Sequence, residues 1–168
     1  LQALIASQYP RDYLGLVGFS ATAREIRPEE LPEVSWDFAY GTNLQHALML
    51  GRKMLANKGG SKQIIVITDG EPTAHVLADG EVFFHYPAEP ETLEATFREV
   101  LRCTRDRIVI NSFVLDETGG LRSFVKKMTA MNKGRAFSTT PDRLGDFVLV
   151  DFVAHRGSER RKRIRHAG

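Results

Sequence analysis

Apolar residues along this chain follow two patterns. Short, nearly continuous runs occur at Tyr13–Ser20 (YLGLVGFS), Gln63–Asp69 (QIIVITD) and Ile108–Leu115 (IVINSFVL). Each reads as a strand, and the uninterrupted aliphatics Ile64–Ile67 predict one buried on both faces, as in a parallel sheet covered by helices. Elsewhere apolar residues recur every three or four positions. One set is Leu44, Ala47, Leu48, Gly51, Met54 and Leu55; a second is Leu93, Phe97, Val100 and Leu101. A third is Leu121, Phe124, Val125 and Met128, and a fourth is Leu144, Phe147, Val148 and Phe152. Each set is the inward face of an amphipathic helix. Leu1, Leu4 and Ile5 mark the end of a further helix, stopped at Pro10.

Turn and cap residues place the boundaries. Thr42 or Asn43 caps the helix that begins at Leu44, and Gly59-Gly60 ends it. Pro90-Glu91 opens the next helix, Gly134 closes the one after, and the last runs from Arg143 to His155. Ala23–Ile26 reads as a short edge strand, followed by a polar loop with Pro28 and Pro32. Arg135–Ser138 is a further short strand. Asp79-Gly80 between Val76-Leu77 and Val82-Phe84 predicts a hairpin over His75–Tyr86, with His75 and His85 facing each other across it. The order implies a three-layer α/β/α sandwich. Its sheet is mostly parallel and doubly wound, with one antiparallel edge strand and an inserted hairpin.

Composition narrows the class. The 168 residues suffice for one domain, expected over 1–155, with 156–168 as a basic tail. That tail holds Arg156, Arg160, Arg161, Lys162, Arg163 and Arg165 against Glu159, a net charge of +5 that leaves −3 on the rest. No apolar run is long enough to span a bilayer and no signal-peptide pattern is present. Cys103 is the single cysteine, so no internal disulfide forms; in a helix it is expected to be inert. A cytoplasmic location follows as an expectation.

The candidate chemistry sits on two loops. Asp69 ends the QIIVITD strand, and ligands of open α/β sheets bind at the carboxyl ends of strands. A carboxylate there holds a metal or does chemistry; the competing reading is that Asp69-Gly70 simply opens a turn. Thr42 likewise reads as a helix cap or a ligand. Glu71 is expected on a solvated rim. His46, His75, His85, His155 and His166 show no ligand spacing. Asp69 with Glu71 and Thr73 imitates the nucleophile motif of haloacid dehalogenase-like phosphatases, but no later acidic pair with a preceding lysine completes it. Neither a P-loop nor a Ser/His/Asp set occurs. A binding module is therefore preferred to an enzyme.

Taken in order, YLGLVGFS, GTNLQHAL and IIVITDGEP resemble the von Willebrand factor A (vWA) family. They correspond to its second strand, the loop and helix with its metal-coordinating threonine, and its fourth strand with a metal-coordinating aspartate. The resemblance implies a metal ion-dependent adhesion site for Mg²⁺ or Mn²⁺. Thr42 would supply a hydroxyl, and Asp69 a carboxylate acting directly or through water. The family's D-x-S-x-S motif is absent from this sequence. It lies on a first strand placed between those matching Tyr13–Ser20 and Gln63–Asp69. The expectation is thus a fragment or a mis-started frame, with an incomplete site, weak or absent metal binding and a marginal fold. The implied function is protein binding through a partner carboxylate that completes the Mg²⁺ sphere, with the hairpin as contact rim. The implied setting is an intracellular bacterial, chelatase-like assembly with an AAA+ ATPase. The alternative is an adaptor whose basic tail docks to nucleic acid or an acidic protein.

Overall fold

The computed structural model describes residues 12–27, 29–30, 40–115, 118–145 and 148. The expected N-terminal helix, most of the last helix and the basic tail lie outside the described residues; residues 141–145 and Val148 are helical.

In chain order the elements are β1 (Leu16–Phe19), β2 (Ala23–Ile26), α1 (Leu44–Leu55), β3 (Lys62–Thr68), β4 (Ala74–Val76), β5 (Val82–Phe84), α2 (Pro90–Arg105), β6 (Ile108–Val114), α3 (Gly119–Asn132) and β7 (Ala136–Ser138). Strands β3, β6 and β7 form a parallel sheet in that order. β1 and β2 pair antiparallel, Leu16 opposite Ile26, and β4 and β5 form the inserted hairpin. The protein is an α/β fold with a mostly parallel sheet, as the alternation of strand and helix patterns requires.

The core lies between β3–β6 and the helices. Leu44 and Leu48 of α1, Phe97 and Val100 of α2, and Leu121, Phe124 and Met128 of α3 close over Val66, Ile108, Ile110 and Val114. The rings of Phe97 and Phe124 stack with centroids 5.0 Å apart. On the other face of β6, Phe113 stacks on Phe137 of β7 at 5.0 Å. Within α2 the buried face runs Phe97, Val100, Cys103, while the expected Leu101 is exposed. Cys103 falls three positions after Val100 and so stays on its face; Leu101 is turned about 100° away.

The expectation that fails is burial of β3 on both faces. Ile67 is 40% exposed, and Ile64 and Ile65 are only half-buried. Among the described residues β3 pairs with β6 alone, and its carboxyl end shares a cleft with Val17–Phe19 of β1. Ile67 is exposed because its side of the strand end lines that cleft.

A charged network locks α1 to α2. The Glu99 carboxylate is fully buried and accepts from Arg52 Nε at 2.7 Å and from Arg102 Nη1 at 2.8 Å; Arg52 also reaches Asp106 at 3.0 Å. Beside it, burial and then the Glu99 charge push the Cys103 thiol up to about 12, which keeps it protonated and unreactive.

The end of α3 departs from the usual glycine cap. The residue in the left-handed region is Lys133 (φ 59°), one position before Gly134. Gly134 is needed for a different reason: a Cβ there would overlap the Ile110 carbonyl oxygen of β6. Gly134→Ala is therefore expected to cost about 2–3 kcal/mol, since backbone atoms must shift. Lys133→Gly is expected to gain up to about 1 kcal/mol by relieving the left-handed strain. Urea denaturation of the two variants checks both signs.

Candidate functional site

The site begins with two loops brought to one sheet edge. β1 and β3 present their carboxyl ends, Val17–Phe19 and Ile67–Asp69, to a cleft of about 330 Å³. Gly41 and Thr42 complete its lining. Thr42 and Asp69, expected from the sequence to act together, thus share one cavity. Thr42 Oγ1 lies close enough that a Cβ on Gly70 would sit 3.6 Å from it.

Which residue caps α1 decides what Thr42 is free to do. The cap is Asn43, whose Oδ1 accepts from His46 N–H at 2.9 Å while its Nδ2 donates to Ala21 O at 2.8 Å. Thr42 is therefore not the cap, and it lines the cleft. Its backbone is pinned from the other loop. Thr42 N–H donates to Thr73 Oγ1 at 2.9 Å, and Thr42 O accepts from Thr73 N–H at 3.1 Å and Ala74 N–H at 3.4 Å. Gly41 permits the approach: its φ is +119°, and a Cβ there would lie 2.9 Å from the Phe84 ring of the hairpin. Sequence reasoning missed Thr73 as the clamp. The signal was its position in DGEPT, where it follows Pro72 into a strand, but its partner lies 31 residues away.

Asp69 is exposed at the end of β3. The turn reading also holds: Thr68 Oγ1 accepts from Gly70 N–H at 3.3 Å and donates to Gly70 O at 3.0 Å. It is Thr68, buried at the strand end, that ties this turn, leaving the Asp69 carboxylate on the cleft wall. Glu71 is no solvated rim residue. It is half-buried and packs against Gly120 at the amino end of α3, where the helix dipole favours a carboxylate. Neither Glu71 nor Thr73 belongs to the cleft lining, so the loose phosphatase-like trio is not assembled there.

The hairpin stands beside the cleft. Gln45 of α1 accepts from Val76 N–H at 2.9 Å, and His85 N–H donates to Thr73 O at 3.0 Å. His75 is opposite Phe83, not His85 as the sequence suggested, because the connection spans Leu77 to Glu81. Its buried ring packs on Phe83 and meets Thr92 Oγ1 at 3.0 Å, while His85 pairs with Glu89 at 3.2 Å. His46 Nδ1 accepts from Ala23 N–H at 3.1 Å, holding β2 to α1. These three histidines are structural.

Chemically, the cleft offers a hydroxyl and a carboxylate. Both are hard oxygen donors, the kind Mg²⁺ takes while keeping several waters. Among the described residues no group of three or more His, Cys, Asp or Glu side chains converges on a metal position. The donor types fit the ion; the donor number fits a sphere completed by water or by other segments.

A mostly parallel sheet flanked by helices, with an added antiparallel pair and hairpin, is consistent with a vWA-like α/β fold. The chain belongs to the family described as "Rv0959-like protein, vWA domain", whose model matches residues 1–153. It is similar to uncharacterized proteins Rv0959 of Mycobacterium tuberculosis H37Rv and Mb0984 of Mycobacterium bovis. Identity to each is 34% over 161 residues, covering 93% of this chain and 24% of the relative. The chain thus spans about a quarter of the length of these relatives. As a vWA domain it falls in a class of protein-interaction or metal-dependent modules. No helix among the described residues is long and apolar enough to cross a membrane.

Proposed function

We propose that this domain binds a protein partner through a divalent cation, Mg²⁺ or Mn²⁺, held at the cleft between β1 and β3. The observation that carries the reading is the meeting of Thr42 and Asp69 on one cleft wall, with the Thr42 hydroxyl released from capping. Thr42 would hold the ion through its hydroxyl and Asp69 through its carboxylate, directly or through water. The bound ion supplies a positive charge that attracts a partner carboxylate.

The remaining ligands enter through the cleft itself. Among the described residues β1 pairs only with β2 and β3 only with β6, and an extended segment seated between β1 and β3 would hydrogen-bond to both. A strand ending in D-x-S-x-S is the segment whose oxygens would complete the sphere. The partner is a protein offering an acidic side chain, and an AAA+ ATPase of the chelatase-like kind fits the resemblance.

Calorimetric titration with Mg²⁺ and Mn²⁺, on protein extended toward the length of the relatives, tests this. Asp69→Ala is expected to weaken binding at least about tenfold. Equal heats for both proteins would sink the proposal.

A further inference from the structure

At the sheet edge opposite the cleft, hydrogen bonds bring several cationic residues together. Asn132, buried at the end of α3, donates from Nδ2 to Thr104 Oγ1 at 2.8 Å and to Ile108 O at 2.9 Å. These two bonds join the ends of α2 and α3 to the start of β6. Arg105 follows Thr104, Arg107 precedes Ile108 and Lys133 follows Asn132, so three cationic residues surround one bonded junction. All three are exposed. Lys62, opposite Ile108 in the β3–β6 register, extends the group along the edge.

The carboxylates at the end of α2 are already engaged. Glu99 is buried and held by Arg52 and Arg102, and Asp106 is held by Arg52 at 3.0 Å. Among the described residues no carboxylate pairs with Arg105, Arg107 or Lys133. The backbone adds a second sign. Arg107 (φ 60°) and Lys133 (φ 59°) are the non-glycine residues with positive φ among those described. A side chain strains that conformation and glycine does not. The α2 dipole is met by Arg102 and Arg105 in its last turn, so it does not require a further cation at Arg107. The surroundings select the partner. No exposed large apolar side chain lies within 102–108 or 129–135. Protein interfaces are built around an apolar centre, and single-stranded nucleic acid stacks its bases on aromatic rings. A duplex backbone is held by spaced cations alone.

We infer that Arg105, Arg107 and Lys133, with Lys62, form a docking surface for the phosphate backbone of duplex DNA. Contact there is independent of base sequence. It lies at the opposite end of β3 from Asp69, so it leaves the cleft free and does not rest on the metal proposal.

Fluorescence anisotropy with a labelled DNA duplex of about 20 base pairs, in EDTA, tests it. The protein is the full chain with Arg160, Arg161, Lys162, Arg163 and Arg165 replaced by glutamine, so that the basic tail does not supply the binding. Affinity is expected to fall with salt, with a log–log slope of about −3 to −4 for the four contacts. Arg107→Gly with Lys133→Gly is expected to weaken binding at least about tenfold and to reduce that slope by about two. The melting temperature should hold or rise, since both changes relieve a left-handed side chain. Arg105→Gln, at an exposed helix position, is expected to weaken binding about fivefold with an unchanged melt. Arg24→Gln removes an exposed cation on β2, away from the junction, and is expected to leave affinity unchanged. Absence of binding once the tail is neutralised, indifference to both Arg105→Gln and the glycine pair, or an equal loss from Arg24→Gln overturns the inference. So does tighter binding of a polyglutamate peptide than of the duplex, which would make the partner an acidic protein. Use of EDTA separates this test from the metal proposal, since failure of either leaves the other standing.

Discussion

Thr42→Ala is expected to lower Mg²⁺ affinity about tenfold while leaving the melting temperature unchanged, and Asn43→Ala is expected to do the reverse. The two residues are adjacent, and both are good helix caps by type. Asn43 makes the cap, accepting from His46 N–H and donating to Ala21 O, so its loss removes two bonds at a buried position. That costs about 1–2 kcal/mol, or roughly 3–6 °C for a chain of this length. Thr42 contributes to the fold through its backbone, and the backbone bonds to Thr73 and Ala74 survive truncation of the side chain. Its side chain belongs to the cleft lining. Thr42→Ser keeps the oxygen and is expected to retain affinity. Metal titration and thermal melts on the same three proteins check the crossed pattern. A melt lowered equally by Thr42→Ala and Asn43→Ala would return Thr42 to a capping role.

The largest effect on stability is expected at the α1–α2 lock. Arg52→Leu strands the Glu99 carboxylate in a fully buried position with Arg102 as its remaining cation. Breaking such a pair from the cationic side is expected to cost about 3 kcal/mol. Glu99→Leu leaves Arg52 behind instead. That side chain is one-third exposed and keeps Asp106, so the expected cost is smaller, about 1–2 kcal/mol. The double replacement Arg52→Leu with Glu99→Leu is expected to be less damaging than Arg52→Leu alone, because no uncompensated buried charge remains. Denaturant titration of the three variants gives the coupling directly. A double variant worse than the sum of the singles would show that packing, not charge, holds the helices together.

Much of this architecture was legible in the residues because the signals are local. The aliphatic runs of β3 and β6, the spacing of Leu44, Ala47 and Leu48, Pro90 opening α2 and Asp79-Gly80 in the hairpin each depend on neighbours within a turn or a strand. Readings failed where the deciding partner is distant. Continuous aliphatics at Ile64–Ile67 imply two covered faces, yet the cover over each face comes from segments distant in sequence, and Ile67 stays exposed at the cleft. Gly134 looks like a left-handed cap, whereas its reason is the Ile110 carbonyl of another element. His75 and His85 flank the turn symmetrically in sequence, but the longer connection sets the register to Phe83. For the site, the pairing of Thr42 with Asp69 followed from the family's motif order, while the choice of Asn43 as cap and the clamp by Thr73 needed coordinates.

The bonds from Thr73 to Thr42 make the two site loops move as one piece. A loop residue left free would have to be ordered when a ligand arrives, at about 1–2 kcal/mol each. Here that ordering is completed during folding, because the strand following Asp69 holds the Thr42 backbone by three hydrogen bonds. If the proposed ion binds at the cleft, its capture would draw little on conformational entropy, and discrimination among ions would fall to size and hydration rather than to loop closure.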